Sequence, residues 1–97
     1  MMEWKSNARW HQDVKEGTIF TLKDIKTDIS IHKIHGLGNK WYLTCRAINI
    51  YQFGLNTDDF DLAVENAKVI IREKLKLLND YFECFVSDES ENEIVRY

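Results

Sequence analysis

Two histidines and three aspartates are the residues of this sequence whose spacing could support metal binding. His32 and His35 lie three residues apart, but on a β-strand such positions point to opposite faces and cannot chelate one ion. Asp58, Asp59 and Asp61 lack the central glycine and the distant glutamate of a calcium-binding loop. We therefore predict no metal site. The histidines are interpreted as residues at a strand end, and the aspartates as favourable charges at the start of a helix.

The paired glycines and the two cysteines do not form a pattern typical of catalysis. Gly36 and Gly38 lack the third glycine of a dinucleotide-binding loop and the lysine and hydroxyl of a P-loop. Neither a serine nor a cysteine lies in a nucleophile-elbow sequence. Cys45 and Cys84 lie among apolar residues, so we interpret both as buried hydrophobic side chains rather than reactive thiols. We predict that the protein is not an enzyme, with no catalytic residue and no cofactor.

One set of polar and aromatic residues could bind nucleic acid through a sheet surface. Tyr42, Thr44 and Arg46 alternate along one strand, with His32 on the neighbouring strand and Lys40 at the turn between them. A sheet face of this composition can stack bases and contact phosphates. The same alternation is also typical of any sheet face that is exposed to solvent on one side. Nucleic-acid binding is therefore kept as the alternative function.

These residues are positioned by a predicted β-hairpin. Residues 28–34 alternate apolar and polar side chains, residues 36–39 supply a turn, and residues 41–53 form a long strand candidate. Residues 18–25 are rich in β-branched and aromatic residues and predict a further strand, whose pairing with the hairpin stays open. A short N-terminal helix is predicted over residues 3–15, because a glycine of the kind that often ends helices follows it.

The register of the hairpin follows from its apolar residues. Ile29 and Ile31 must share a face with the odd-numbered residues Trp41, Leu43, Cys45 and Ala47, since otherwise each strand would put its apolar side against the polar side of the other. Odd-numbered residues should therefore lie opposite odd-numbered residues, which a loop of either three or five residues satisfies. Further along the second strand the apolar positions switch from odd to even, which a β-bulge or a strand end covered on both faces would explain.

The clearest element is a long amphipathic helix predicted over residues 58–85. Its apolar residues recur every three or four positions and form one stripe. Thr57 is the predicted N-cap. The stripe consists of Phe60, Val64, Ala67, Ile71, Leu75, Leu78, Phe82 and Phe85. The sequence thus predicts an α+β fold, in which a short antiparallel sheet, made of the long β-hairpin and a possible third strand, packs on this C-terminal helix.

A stretch near the start of this helix is similar to a known family. Residues 61–71, which read DLAVENAKVII, resemble the helix start of HicB-type antitoxin domains, in which a short antiparallel sheet precedes the helix. The similarity covers 11 of the 97 residues, and the Pro-Gly turn that such domains place before the helix is missing. The resemblance implies that the elements follow in the order strand, strand, helix. The alternative function is therefore a nucleic-acid-binding or antitoxin-like module that uses the hairpin face.

Composition and charge place the chain among small globular proteins. It has 97 residues, of which 44% are hydrophobic, and no apolar run long enough to span a membrane. No secretory signal is recognisable, so we expect a cytoplasmic protein. Residues 1–46 carry a net charge of +3 and residues 47–97 one of −6, a balance that does not favour nucleic acid. We divide the chain into one α+β domain over residues 1–86 and an acidic, flexible tail over residues 87–97.

With no catalytic or metal-binding residue predicted, function is expected to depend on a surface. We predict a small protein-binding regulator or inhibitor, of the kind that mobile elements encode, which occupies the surface of a protein partner. Its predicted partner-binding residues are Trp4, Trp10, Lys40, Tyr42, Arg46 and Tyr51. We also expect a homodimer, built on the helix, on the sheet face opposite Leu43, or on both. The predicted dimer interface consists of Ile48, Ile50, Ile70, Leu77 and Tyr81.

Overall fold

The fold is a five-stranded antiparallel sheet with one long helix packed on one of its faces. The structure, a computed structural model, describes residues 3–22 and 28–96. Within them the strands pair in the order β1-β2-β3-β4-β5, so the predicted α+β class is confirmed. The elements are β1 (Trp4–Ser6), β2 (Ile19–Leu22), β3 (Ser30–His32), β4 (Tyr42–Cys45), β5 (Ile50–Gly54) and α1 (Phe60–Ser87), with single 3-10 turns at Val14–Glu16 and Arg46–Ile48.

The predicted register of the hairpin is confirmed. Strand β3 pairs with β4 so that Ile31 lies opposite Leu43 and His32 lies opposite Tyr42. Ile31 and Leu43 are fully buried beneath α1, whereas His32 and Tyr42 lie on the other side of the sheet. The alternation of apolar and polar residues therefore fixes which face of the sheet covers the core.

The loop of this hairpin is longer than three or five residues. It covers residues 33–41, because the backbone groups at its two ends bond to other parts of the chain. The amide of Lys33 donates to the carbonyl of Thr18 at 2.8 Å, and the amide of Trp41 donates to the carbonyl of Thr57 at 2.9 Å. Neither residue is then free to extend the pairing of β3 with β4.

The long strand predicted over residues 41–53 is wrong, since the structure has two antiparallel strands there. The 3-10 turn after β4 ends at Asn49, which has a φ of 61° and reverses the chain into β5. Asparagine is among the few residues that adopt this left-handed conformation readily. The switch of apolar positions from odd to even thus marks a chain reversal. As a result Ile50 lies opposite Cys45 on the core side of the sheet, and not on the face opposite Leu43 as predicted.

The short helix predicted over residues 3–15 is also wrong. Strand β1 begins this stretch, with Trp4 opposite Leu22 of β2, and only a single 3-10 turn follows at its end. Trp10 is 96% exposed and Val14 is 68% exposed, so the stretch has no buried apolar face on which a helix could be stabilised. A helix of this length needs such packing, because it is marginal in water by itself.

The sheet has more strands than the hairpin and possible third strand that were predicted. Within the range 18–25, strand β2 pairs with both β1 and β3, which answers the open question of its pairing. Residues 23–25 of that predicted strand lie outside the described residues. The edges of the sheet are β1, where a helix was predicted, and β5, which was predicted as the end of the long strand over residues 41–53 and not as a separate strand.

The N-cap of α1 is Asp59 and not Thr57 as predicted. The Asp59 carboxylate accepts from the amide of Leu62 at 3.3 Å, and its carbonyl accepts the first helical hydrogen bond, from Ala63. An N-cap residue must offer that carbonyl to the helix. The carbonyl of Thr57 already accepts from Trp41, so the helix begins two residues later.

The helix predicted over residues 58–85 is confirmed at Phe60–Ser87, but only its first half covers the sheet. Ala63 and Ala67 are its two buried residues and allow the helix to approach the sheet closely. From residue 79 onward every residue of α1 is exposed, Cys84 included, so the prediction that this thiol is buried is wrong. Cys45 is buried as predicted. Among the described residues, no helix is both long and apolar enough to span a membrane.

Truncation of Leu43 tests the core. Because this side chain is fully buried on β4, Leu43→Ala should lower the free energy of unfolding by about 2–5 kcal/mol. Leu37→Ala is the matched control, since Leu37 is 56% exposed in the hairpin loop and its truncation should change that free energy by less than about 0.5 kcal/mol. Urea unfolding followed by circular dichroism measures both. Equal losses would contradict the placement of Leu43 in the core.

Candidate protein-binding surfaces

The C-terminal half of α1 presents an apolar surface that nothing in the described chain covers. Leu78, Tyr81, Phe82 and Phe85 recur at intervals that place them on one face of the helix, and we call this face the distal stripe. Tyr81 is 69% exposed, Phe82 65% and Phe85 81%, while Leu78 is half-buried. Three aromatic side chains in contact with water on one helical face make this the strongest candidate for a binding surface.

The distal stripe continues the face of α1 that packs on the sheet. Phe60, Val64 and Ile71 contact the core in the first half of the helix. Phe82 and Phe85 lie at nearly the same angular position, about three and four turns beyond Ile71. The sequence pattern is therefore uniform from end to end, and the two halves differ only in whether the sheet lies beneath them.

A groove beside the edge strand β5 joins the distal stripe. Its apolar walls are the side chains of Ile50, Phe53, Ile70 and Leu77, and Lys74 and Glu73 also line it. We call it the β5 groove. Phe53 is 51% exposed and Leu77 49%, so both sides of the groove contribute open apolar surface. It lies along the half of α1 that packs on the sheet and ends where the distal stripe begins.

The residues predicted for a dimer interface are placed in two environments. Ile50 is buried at 6% exposure, and Ile48 and Ile70 are half-buried against the core. Leu77 and Tyr81 are exposed on α1. Ile70, Leu77 and Tyr81 follow one side of the helix, from the β5 groove into the distal stripe.

A second surface is the sheet face that α1 leaves open. His32 Nε2 and Thr44 Oγ1 share a hydrogen bond of 2.8 Å, and the ring of His32 stacks on that of Tyr42 at 6.4 Å between centroids. The amide of Gln52 donates to the same Thr44 hydroxyl at 3.1 Å. The shallow groove on this face is lined by Ile19, Thr21, Asp28, Ser30, His32, Thr44, Arg46, Tyr51 and Gln52.

The residues predicted to bind a partner are not all brought together. Arg46 and Tyr51 line the open-face groove, and Tyr42 stacks on its His32. Trp4 lies on the opposite side of the sheet, where its ring packs edge-on against Phe60 at 5.7 Å. The other two, Trp10 and Lys40, are exposed in loops.

Sequence reasoning missed the two phenylalanines of the distal stripe as candidate binding residues. It assigned Phe82 and Phe85 to the stripe that covers the sheet. Length gave no signal, because the single strand predicted over residues 41–53 would measure about 43 Å, as long as the helix of about 42 Å that it was expected to pack against. The error follows from the chain reversal at Asn49, which divides that strand in two.

The titratable groups of the described chain do not converge on one place. No group of three or more His, Cys, Asp or Glu side chains in residues 3–22 and 28–96 is arranged to hold a metal ion. At the end of α1, hydrogen bonds from the side chain and the backbone amide of Ser90 hold the pKa of Asp88 below its ordinary value. The helix therefore ends in a carboxylate that keeps its negative charge as the pH falls below neutrality.

Comparison with protein-family models, with characterised proteins and with solved structures finds no match for this chain. The similarity of residues 61–71 to HicB-type antitoxins accordingly stays a prediction. The features that bear on function are the apolar surface of α1 and the β5 groove on one side, and the open sheet face on the other.

Removal of the Thr44 hydroxyl tests the hydrogen-bond network of the open face. Thr44→Val should lower the free energy of unfolding by about 1 kcal/mol or more, because the His32 ring and the Gln52 amide both lose a partner. Thr21→Val is the matched control on the same face, and we expect it to be neutral or slightly stabilising, since valine favours strands. Urea unfolding measures both variants. A Thr44→Val variant as stable as the wild type would show that the network contributes nothing.

Proposed function

We propose that this protein is a non-enzymatic protein-binding regulator or inhibitor, which acts by placing the distal stripe against the surface of a protein partner. The observation that carries the proposal is the exposure of Tyr81, Phe82 and Phe85 on one helical face beyond the sheet. Amphipathic helices commonly bind partners through such a face. Aromatic residues are also the side chains most enriched in interface cores.

The size of the uncovered surface supports this function. A Phe or Tyr side chain buries roughly 150–250 Å² when it is covered. At about 25 cal/mol per Å², covering the three aromatic residues of the distal stripe would contribute roughly 10 kcal/mol before the entropy costs of association are subtracted. That gross term is comparable to the roughly 4–15 kcal/mol that association costs, so a stable complex also needs contacts outside the three aromatic residues.

The open sheet face supports the alternative, nucleic-acid binding, less well. Arg46 and Asp28 both line its groove, so their charges cancel. The hydroxyl of Thr44 and the Nε2 of His32 already bond to each other. A nucleic-acid surface gains most of its affinity from clustered cations that contact phosphates, and among the described residues that line this groove Arg46 is the one such cation.

Two further parts of the proposal concern where the protein acts and with what. Cys84 is an exposed free thiol, and exposed thiols are typical of a reducing compartment, so we propose a cytoplasmic role. A homodimer is one form that the protein–protein contact can take, through the residues that continue from the β5 groove into the distal stripe.

Site-specific photo-crosslinking in cells of the native host tests the proposal. A benzophenone side chain in place of Phe85 should give discrete crosslinked products, because this position lies in the distal stripe. The same substitution of Glu83 is the matched control, since two residues of separation place it on the opposite side of the helix. Gel electrophoresis followed by mass spectrometry identifies the products. If neither position crosslinks, or if both do so equally, the distal stripe is not a binding surface.

A further inference from the structure

We infer that the partner of the distal stripe is a second copy of this chain, with the two α1 helices antiparallel and the distal stripe of each copy against the β5 groove of the other. This inference rests on the proposed function, because it names the occupant of the same surface. Three observations carry it: the distribution of charge along α1, the course of one apolar seam, and the area available for contact.

The charges of α1 are separated along its length. Residues 68–76 contain four basic residues and one acidic residue, a net charge of +3. Residues 77–93 contain six acidic residues and no basic residue, a net charge of −6, of which Asp80 and Glu83 lie in α1 and the other four follow it. A parallel pair would place −6 beside −6. An antiparallel pair centred near Leu78 places the acidic segment of each copy beside the basic segment of the other, which Coulomb attraction favours.

One apolar seam connects the two surfaces that the dimer would bury. Ile70, Leu77 and Tyr81 are separated by seven and four residues, the spacing by which helices pack side by side. Ile70 and Leu77 line the β5 groove, and Tyr81 belongs to the distal stripe. In an antiparallel pair, Tyr81 of one copy therefore lies near Leu77 of the other.

The same arrangement gives Lys74 a partner. Lys74 lies within the seam, on the wall of the β5 groove, and is half-buried there. An antiparallel copy brings its acidic segment past this ammonium group, and Asp88, seven residues after Tyr81 and therefore on the same side of the helix end, is the carboxylate on the seam side.

The area is sufficient for a stable dimer. Tyr81, Phe82 and Phe85 are each at least 65% exposed, and Leu77 is 49% exposed. Covering these side chains in both copies would remove roughly 1,000 Å² from water. Specific protein–protein interfaces begin at about 1,200 Å² in total, and the apolar surface of the β5 groove supplies the remainder.

Sedimentation velocity of the full chain at micromolar concentration tests the association. We expect twice the monomer mass of 11.5 kDa. Tyr81→Asp should raise the dissociation constant of the dimer more than about tenfold while the circular dichroism of the monomer stays unchanged, since Tyr81 is 69% exposed and outside the core. Asn79→Asp is the matched control. It adds the same charge two residues away, on the opposite side of α1, and should leave the dissociation constant within about twofold.

Disulfide trapping with the native Cys84 tests the orientation. A parallel pair would bring the exposed Cys84 of each copy together, so that the wild type forms a covalent dimer on oxidation. An antiparallel pair brings Cys84 near Lys74 of the other copy, so Lys74→Cys should form a covalent dimer and the wild type should not. Arg72→Cys is the matched control, because it removes the same charge but lies on the other side of the helix.

The change of the dimer dissociation constant with salt concentration is an independent test of the orientation. Raising the ionic strength from about 0.01 M to about 1 M shortens the screening length from roughly 30 Å to roughly 3 Å. An antiparallel dimer should dissociate more readily as salt increases, because salt screens its attractions. A parallel dimer should become tighter, because salt screens its repulsions.

The outcomes separate this inference from the proposed function. A monomer at micromolar concentration, or a wild-type Cys84 disulfide, overturns the antiparallel dimer. If the position of Phe85 still crosslinks in cells to a protein other than this chain, the proposed function holds and only the identity of its partner changes. If that position crosslinks to nothing, both fail.

Discussion

The contact of Phe60 with the aromatic residues of the sheet determines where α1 begins and how it lies. The centroid of its ring is 4.6 Å from that of Phe20 and 5.3 Å from that of Trp41. Trp41 also holds the backbone in front of the helix, since its indole Nε1 donates to the carbonyl of Asp58 at 2.9 Å and its amide donates to Thr57. The first turn of α1 is thereby attached to the sheet at both the side-chain and the backbone level. What the rest of the helix contacts then depends on its length.

The length of α1 exceeds every dimension of the sheet. Strands of three to five residues measure roughly 10–17 Å, and five strands spaced by about 4.8 Å span roughly 20 Å. A helix of 28 residues measures about 42 Å. Whatever direction it takes from Phe60, about half of it must extend beyond the sheet. The exposure of Phe82 and Phe85 is a consequence of this mismatch, which the longest molecular dimension of 62 Å reflects.

Local periodicity accounts for what could be predicted from the sequence. The two-residue alternation around Ile31 and Leu43 established the pairing of β3 with β4, and the three-to-four-residue spacing established α1. Strand β1 has three residues, too few to show an alternation, and the reversal at Asn49 has no glycine to mark it. For the candidate site, periodicity identified the apolar face of α1 but not the residue at which the sheet stops covering that face. A residue such as Phe85 has the same spacing whether or not a sheet lies beneath it.

An uncovered helix end also limits how the protein can bind. The last nine residues of α1 are all exposed and receive no tertiary packing, so they are held in the helix by propagation from its packed half and fray more easily than that half. The distal stripe is therefore most ordered when something covers it, so association must offset part of the entropy cost of holding the helix straight. A contact of this kind is weaker for its area than one between preformed surfaces. A contact that is weak for its area is compatible with the proposed role of a regulator.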